Sequence, residues 1–150
     1  MKKVAFLLLA LTLLCACAPV RTEEAEIIPD VSIKEKMFIA QCNEIYLNAD
    51  DYLGKAIELE GLMSSYTDES TNTTYYMVMR LGPGCCGNDG TAGFEVIWPE
   101  ENVQQYPADN EWVRALGRLE RYTEGESTYL RLVLVSLDVL EERGEEFVSQ

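Results

Sequence analysis

Apolar residues recur at helical spacing along residues 38–49, which predicts a helix with one apolar face. The apolar positions are Phe38, Cys42, Ile45, Tyr46 and Ala49. Upstream, Ser32 and Glu35 have the spacing of a capping box, in which each side chain accepts a hydrogen bond from a free backbone N–H at the helix start. The pattern therefore predicts one amino-terminal helix that starts near residue 32 and ends before residue 52.

From residue 56 onward the apolar period changes to two, which indicates strands. Five segments have this alternation or are rich in β-branched and aromatic residues: residues 56–63, 74–81, 94–98, 112–122 and 129–140. The last segment is nearly continuous in Leu and Val, which predicts a strand inside the sheet. The glycine-rich segment at residues 82–93 predicts a loop.

Glycines lie in the middle of the first and fourth predicted strands, at positions 61 and 117. Long strands need glycine where they bend around the corner of a closed sheet. Five strands fit the Greek-key barrel of the oligonucleotide/oligosaccharide-binding (OB) type, and a six-stranded sandwich is the alternative. We therefore expect a mainly β domain with one amino-terminal helix over residues 32–140, followed by a charged tail at residues 141–150.

The amino terminus has the features of a secretory signal. Lys2 and Lys3 precede an apolar run at residues 4–14, which is too short to cross a bilayer as a helix of about 20 residues. The run ends in Leu14-Cys15-Ala16-Cys17, which resembles the lipobox of bacterial lipoproteins. The resemblance implies that residues 1–16 are removed as a signal peptide and that Cys17 receives the lipid, with palmitate among its acyl chains.

Residues 17–31 are polar, acidic and bounded by prolines, which predicts a flexible tether behind the lipidated cysteine. An acidic domain is repelled by anionic lipid headgroups, so we expect the acyl chains to supply the attachment. The predicted location is therefore the cell membrane, with the domain lipid-anchored and facing outside the cytoplasm.

Composition excludes several classes of function. The chain has 150 residues and no histidine, which removes Ser-His and Cys-His nucleophiles and histidine metal ligands. Its formal net charge is −14, whereas binding a phosphate backbone requires clustered cations. We therefore expect no nucleic-acid partner, and the absence of a visible nucleophile–base pair indicates that the protein is not an enzyme.

Three cysteines follow the predicted leader: Cys42, Cys85 and Cys86. In an oxidising compartment an odd number of thiols cannot all pair within the chain. Cys42 fits a small core residue of the helix, because free cysteine is often buried. The alternatives are a strained, reducible disulfide between Cys85 and Cys86, and a disulfide that joins Cys42 to one of them.

Metal binding is a further alternative for these cysteines. Gly84 and Gly87 give the segment around Cys85 and Cys86 freedom to fold as a hinged loop. Asp89 adds an oxygen ligand, and Cys42 adds a third sulfur. Such a ligand set suits Zn²⁺ or Cu⁺, although the two-residue spacing usual between zinc-binding cysteines is absent.

Several motifs between residues 38 and 140 occur together in one family. They are Glu44-Ile45-Tyr46, Tyr52-Leu53-Gly54-Lys55, Ile57-Glu58-Leu59-Glu60-Gly61, Cys85-Cys86-Gly87-Asn88-Asp89 with Gly93, and Glu111-Trp112-Val113-Arg114 with Gly117. This set resembles the carboxy-terminal domain of the YcgQ-like family, bacterial membrane-associated proteins of unestablished function. The resemblance implies a membrane-protein partner such as a permease. This chain differs from that family by a lipid anchor in place of transmembrane helices.

We expect a lipid-anchored extracytoplasmic binding or accessory module, with a metal- or thiol-redox-linked site at Cys85, Cys86 and Asp89. The alternative is a purely structural or peptide-binding OB-like module with a disulfide-stapled loop and no metal. Aromatic residues such as Tyr75, Tyr76 and Trp98 are similar to the base-stacking platforms of OB folds. In an acidic chain we expect them to form core or a protein-binding face.

Overall fold

The computed structural model describes residues 27–84 and 87–149, without the side chains of residues 87–89. Its α-helix, α1 (Phe38–Leu47), lies between two 3₁₀ turns at Glu35–Met37 and Ala49–Asp51. Along α1 the buried side chains are those of Phe38, Cys42 and Ile45. The helical spacing in the sequence therefore correctly predicted which face packs on the core.

The predicted capping box is wrong. Ser32 lies in a strand, and its hydroxyl donates to a carboxylate oxygen of Glu58 at 2.9 Å. The carboxylate of Glu35 instead accepts a hydrogen bond from the guanidinium of Arg80 at 3.0 Å. Both side chains are therefore used for tertiary contacts, and the helix begins later than the sequence pattern suggested.

Six strands form one sheet in residues 27–84 and 87–149. They are β1 (Val31–Ser32), β2 (Ala56–Asp68), β3 (Thr73–Gly84), β4 (Gly87–Ile97), β5 (Trp112–Glu124) and β6 (Ser127–Val139). Their order is β1-β2-β3-β4-β6-β5, and β2 also pairs with β5. The pairs β1–β2 and β4–β6 are parallel, and the other pairs are antiparallel. A 3₁₀ turn at Glu100–Asn102 lies between β4 and β5.

The predicted count of five strands is wrong, because the two-residue strand β1 adds a sixth at the edge. Residue 30 is already attached to the sheet, since the Asp30 carboxylate and backbone N–H both bond to the backbone of Ala56 at 2.8 Å. The predicted loop at residues 82–93 is also wrong over its described part, where β3 ends at Gly84 and β4 begins at Gly87. β6 lies between β4 and β5, so the prediction of an internal strand is confirmed.

The two halves of strand β2 pair with different long strands, besides the short pairing with β1. Residues 56–62 pair with β5 and residues 62–68 pair with β3. A Cβ atom at Gly61 would lie 2.6 Å from the carbonyl oxygen of Met79, and one at Gly117 would lie 2.9 Å from that of Val133. Glycine is therefore needed at both predicted mid-strand positions because neighbouring backbone approaches closely there.

The hydrophobic core combines side chains from α1, β2 to β6 and the carboxy-terminal segment. Its side chains of less than 2% exposure include Phe38, Ile45, Leu59, Phe94 and Leu132. Along the first part of β5, buried positions alternate with more exposed ones, so one face of this strand packs inward. The segment between β5 and β6 is a tight hairpin with a left-handed Gly125 at φ +59°.

The core also contains one charged side chain, Arg80, which is 2% exposed. Its guanidinium lies 4.9 Å from the ring centroid of Phe38 and 4.7 Å from that of Trp112. It donates to the carbonyl oxygens of Glu60 at 2.8 Å and Glu145 at 3.0 Å, besides the carboxylate of Glu35. These contacts satisfy a buried cation that would otherwise be costly.

The charged tail packs against the domain. Leu81 on β3 donates its N–H to the carbonyl oxygen of Glu146 and accepts a hydrogen bond from the N–H of Val148, both at 2.8 Å. Val148 is 6% exposed and belongs to the core cluster. The folded unit therefore continues past residue 140. Within the part of the chain that the structure describes, no helix has the length and apolarity needed to cross a membrane.

Candidate functional site

A cleft of about 670 Å³ lies between the β2–β3 hairpin and the β5–β6 hairpin. We call it the tyrosine cleft, after five lining side chains: Tyr46, Tyr66, Tyr75, Tyr122 and Tyr129. Charged groups on its wall are Asp68, Glu95, Glu124 and Arg121. Its volume falls within the range of about 300–1,000 Å³ typical of small-molecule sites.

Strand register brings the tyrosines together. Tyr66 lies opposite Tyr75 in the β2–β3 pair, and Tyr122 lies opposite Tyr129 in the β5–β6 pair. The rings of Tyr122 and Tyr129 have centroids 5.5 Å apart, a distance at which aromatic pairs attract each other. Each hairpin thus presents a cross-strand pair of aromatic side chains to the same cleft.

A hydrogen bond joins the two hairpins across the cleft. The Tyr75 hydroxyl on β3 donates to a carboxylate oxygen of Glu124 on β5 at 2.6 Å. This bond favours the protonated phenol, and together with the nearby charge it raises the pKa of Tyr75 to about 12. Tyr75 therefore stays protonated at physiological pH and holds the Glu124 carboxylate at the rim.

Glu95 is the half-buried carboxylate of the cleft. The Tyr122 hydroxyl donates a hydrogen bond to it. Burial raises the pKa of Glu95, while the Tyr122 bond and the more distant Arg131 act in the opposite direction. Burial followed by the Glu95 contact raises the pKa of Tyr122. Glu95 is thus a desolvated acid whose hydrogen-bond donor is a neutral phenol.

The basic side chains near the cleft are engaged by acids. Arg121 pairs with Asp50 at 2.7 Å. Arg131 pairs with Glu120 at 2.7 Å, and its guanidinium lies 4.5 Å from the ring centroid of Tyr122. The Arg131–Glu120 pair joins neighbouring strands, since these residues lie opposite each other in the β5–β6 pair. Within the described residues neither Glu95 nor Glu124 has a basic side chain at salt-bridge distance.

The family model described as the DUF1980 C-terminal domain matches residues 20–145 of the chain. The chain belongs to the DUF1980 C-terminal domain family. The match supports the domain family that the sequence motifs indicated, while the YcgQ-like name and the lipobox stay predictions. A search of curated proteins gave no match.

In this DUF1980 C-terminal domain, the cysteine that the structure describes, Cys42, is not a lining residue of the tyrosine cleft. Cys42 is a free thiol, 1% exposed, in the core cluster, as its helical spacing predicted. Burial raises its pKa to about 12, so the protonated thiol dominates. A reactive or metal-binding thiolate at this position is therefore disfavoured.

The other predicted site residues are described only in part. Cys17, Cys85 and Cys86 lie outside the described residues, and so does the side chain of Asp89. Gly84 and Gly87 are partners in the β3–β4 pair, so two residues separate the paired ends of those strands. In residues 27–84 and 87–149 no group of three acidic or cysteine side chains is placed to hold a metal ion.

Sequence reasoning did not find the tyrosine cleft. Of the three aromatic residues considered as a stacking platform, only Tyr75 lines it. Trp98 is a core residue at 4% exposure, and Tyr76 stacks on Tyr106 with ring centroids 3.7 Å apart. The signal available in the sequence was the pair of tyrosines that flanks each polar turn, at positions 66 and 75 and at positions 122 and 129.

Proposed function

We propose that this domain is a binding module that holds its ligand in the tyrosine cleft. The observation that carries the proposal is the cleft itself, about 670 Å³ of space between two hairpins with five tyrosines on its wall. Tyrosine supplies large contact area at low conformational-entropy cost and keeps a polar tip for hydrogen bonding. Two of its carboxylates, Glu95 and Glu124, accept hydrogen bonds from its phenols Tyr122 and Tyr75, an arrangement that favours binding over catalysis.

The strand pairing supports an OB-like barrel as the scaffold. The long strands pair in a ring, β2-β3-β4-β6-β5, and the β2–β5 pairing joins its ends. β4 and β6 are parallel while the other long strands pair antiparallel. In OB folds the ligand lies on the sheet face between the first and the last hairpin. These are the two hairpins that border the tyrosine cleft.

The test of this proposal is a titration of the full chain with a library of small fragments, followed by amide NMR shifts. We expect binders to shift amides on both hairpins. Tyr66→Ala and Tyr129→Ala should weaken these binders about fivefold each, since one aromatic contact contributes about 1 kcal/mol. Both tyrosines are exposed, at 67% and 46%, so their replacement spares the core.

Phe147→Ala is the matched control, because Phe147 is 51% exposed and lies outside the cleft. It should leave fragment binding unchanged. Fragment shifts that cluster elsewhere, or that persist unchanged in both tyrosine variants, would refute the cleft as the binding site.

We further propose that Cys17 carries the lipid that holds the module at the membrane, facing outside the cytoplasm, beside a membrane-protein partner such as a permease. The sequence supports this through the apolar leader and the Leu14-Cys15-Ala16-Cys17 run. Cys17→Ala should abolish palmitate incorporation and release the protein from the membrane fraction. Cys15→Ala is the matched control and should retain both. Labelling that survives Cys17→Ala would contradict the assignment.

A second candidate function is binding of Zn²⁺ or Cu⁺ by Cys85 and Cys86 with Asp89. The observation that favours it is the Gly84–Gly87 pairing, which leaves both cysteines between two adjacent strand ends. Metal analysis of the reduced full chain should detect bound metal that Cys85→Ser and Cys86→Ser each remove. Cys42→Ser should leave it in place, because Cys42 is a core thiol. A Cys85–Cys86 disulfide in non-reducing mass spectrometry, without metal, would favour a stapled turn instead.

A further inference from the structure

The core of this protein contains an example of how the chain holds an organic cation. Two aromatic rings flank the guanidinium of Arg80, those of Phe38 and Trp112, with centroids within 5 Å. A carboxylate oxygen of Glu35 lies 3.0 Å from it. Aromatic rings attract cations through their negative faces, and a carboxylate adds the opposite charge.

The Arg80 region thus combines aromatic rings, a carboxylate and a cation. In its described part, the tyrosine cleft contains the rings and the carboxylates but not a cation enclosed by them. Tyr122 and Tyr129 supply ring faces, and Glu95 and Glu124 supply carboxylates. The ring of Tyr122 already attracts a guanidinium, since Arg131 lies 4.5 Å from its centroid. Arg131 pairs with Glu120 on the neighbouring strand at 2.7 Å. It is therefore not the cation that the cleft carboxylates would bind.

The net charge of the cleft is also suited to a cation. Among its described lining residues three are acids and one, Arg121, is basic. Arg121 is engaged by Asp50, and the Asp68 carboxylate accepts hydrogen bonds from the backbone and hydroxyl of Ser70. Glu95 and Glu124 accept their hydrogen bonds from the phenols Tyr122 and Tyr75. Within the described residues neither Glu95 nor Glu124 thus has a basic side chain at salt-bridge distance. Arg131 lies opposite Glu95 in the β4–β6 pair and lowers its pKa, but its ion pair is with Glu120.

We propose that the tyrosine cleft binds an organic cation, an ammonium or guanidinium group on an apolar stem, with Glu95 as its counter-ion. This inference rests on the proposed function, because it names the ligand chemistry for the same cleft. The apolar stem packs on the tyrosine rings and Met77, while the charged head reaches the carboxylate. The half-buried carboxylate of Glu95 has already lost part of its hydration, so a bound cation costs it less further hydration than it would cost an exposed carboxylate.

Glu95 also gives the binding a pH dependence. Tyr122, Arg131 and Glu124 act on the pKa of Glu95 from β5 and β6. The charge of Glu95 in turn raises the pKa values of Tyr46 on α1, Tyr75 on β3 and Tyr106 between β4 and β5. The phenols stay protonated near neutral pH, and the raised pKa of Glu95 brings the protonation of this carboxylate into milder acid. Affinity for a cation should therefore fall as the pH falls through the raised pKa of Glu95, while affinity for a neutral ligand should not.

The test compares charged probes with neutral isosteres on the full chain in a nonionic polyoxyethylene detergent. The probes are the N-acetyl amides of arginine and lysine, choline, the neutral isostere N-acetylcitrulline amide, and the neutral disaccharide chitobiose. Binding is followed by amide NMR shifts of β4 to β6. We expect the cations to bind in the cleft at least tenfold more tightly than citrulline amide, and Glu95→Gln to remove most of that difference.

Glu60→Gln is the matched control, because Glu60 is a strand carboxylate on another face, paired with Arg114 at 2.7 Å. It should leave cation binding unchanged. Tighter binding of arginine or lysine amide than of choline would assign the cation to a protein side chain, and the reverse order to a free quaternary amine.

Two outcomes would overturn the inference and still leave the proposed function standing. The first is equal binding of citrulline amide or chitobiose at the cleft amides. The second is a cation effect spread over the acidic surface, lost in salt and unchanged by Glu95→Gln. Failure of every fragment to shift the cleft amides, in the separate library titration, would instead refute the proposed function.

Discussion

Arg80 and Glu95 lie in two regions built from similar parts, and the regions differ in how they are closed. At Arg80, helix α1 contributes Phe38, the preceding turn contributes Glu35, and the carboxy-terminal segment contributes the carbonyl of Glu145. At Glu95, the surrounding groups come from the two hairpins and from Tyr46 on α1, with open space between them. The comparison teaches that the chain encloses its own cation in one region and leaves the equivalent position accessible in the other.

The energetic consequences of the two arrangements are opposite in sign. Glu35 is stabilised as an anion, because a hydrogen bond from the N–H of Glu145 and the guanidinium of Arg80 lower its pKa. Glu95 is destabilised as an anion, because burial raises its pKa. The ion pair between Arg80 and Glu35 therefore stabilises the folded state. The carboxylate of Glu95, which has no ion-pair partner at salt-bridge distance within the described residues, lowers the stability of the folded state and is available to a ligand.

The largest effect is expected from Arg80→Met, which removes the cation of the closed region. The change leaves the part-buried carbonyl oxygens of Glu60 and Glu145 without this donor. Since the remaining carboxylate of Glu35 is 40% exposed, the cost comes mainly from the two carbonyl oxygens that lose a charged donor, and we expect a loss of about 2–4 kcal/mol. Urea unfolding followed by circular dichroism measures the free energy of unfolding of the variant and of the unchanged chain.

Arg114→Met is the matched control for that experiment. Arg114 is 45% exposed and pairs with Glu60 at 2.7 Å. An exposed ion pair contributes about 0–1 kcal/mol, so this variant should be close to the unchanged chain. Similar losses in the two variants would show that the buried network around Arg80 has no special role.

Much of this fold was predictable from local pattern. The helix face and the five long strands follow from apolar periods of 3.6 and 2, which are local properties of the sequence. The segment at residues 82–93 was mispredicted because glycine is common in loops. Here a Cβ at Gly93 would lie 2.1 Å from the carbonyl oxygen of Val78, so glycine permits close strand pairing instead.

The tyrosine cleft and the Arg80 region were not predictable in the same way. Tyr66 and Tyr122 are far apart in sequence, and they reach one cleft only because β2 pairs with β3 and β5 along its two halves. Arg80 lies at an inward position of β3, where the sequence pattern alone would place an apolar residue. Its partners Glu35 and Glu145 come from opposite ends of the domain. Long-range contacts of this kind leave no periodic trace in the sequence.

Val148→Ala tests whether the carboxy-terminal segment is needed to close the Arg80 region. Val148 is 6% exposed, and removal of two buried methyl groups costs about 1.5 kcal/mol. The loss should appear in urea unfolding, with the amide shifts of the tyrosine cleft unchanged. Val103→Ala, at a position 72% exposed, should stay within about 0.5 kcal/mol of the unchanged chain. An equal effect of the two variants would argue against docking of the segment.

Glu35→Gln should lower the free energy of unfolding at neutral pH by about 1 kcal/mol. This is less than a fully buried charged hydrogen bond contributes, because the Glu35 side chain is 40% exposed. The lowered pKa of Glu35 means that its contribution is present above the ordinary value of 4.5 and is lost as the pH falls through the folded value. Between pH 7 and pH 3, the free energy of unfolding should therefore fall less in the variant than in the unchanged chain. An unchanged acid dependence would show that Glu35 is not responsible.

Glu95→Gln should change the free energy of unfolding least, and it should stabilise the protein where the preceding variants destabilise it. The raised pKa means that the folded carboxyl keeps its proton at pH values where the unfolded chain has lost it. Ionised Glu95 therefore destabilises the folded state at neutral pH. This destabilisation disappears as the pH falls and the carboxyl becomes protonated. The amide still accepts the hydrogen bond from Tyr122, and the variant should gain about 0.5 kcal/mol at pH 7. Urea unfolding at pH 7 and pH 4 measures both points, and the gain should shrink at the lower pH. A loss of stability at pH 7 would mean that Arg131 already pairs effectively with Glu95, and the two regions would then not differ in the way proposed.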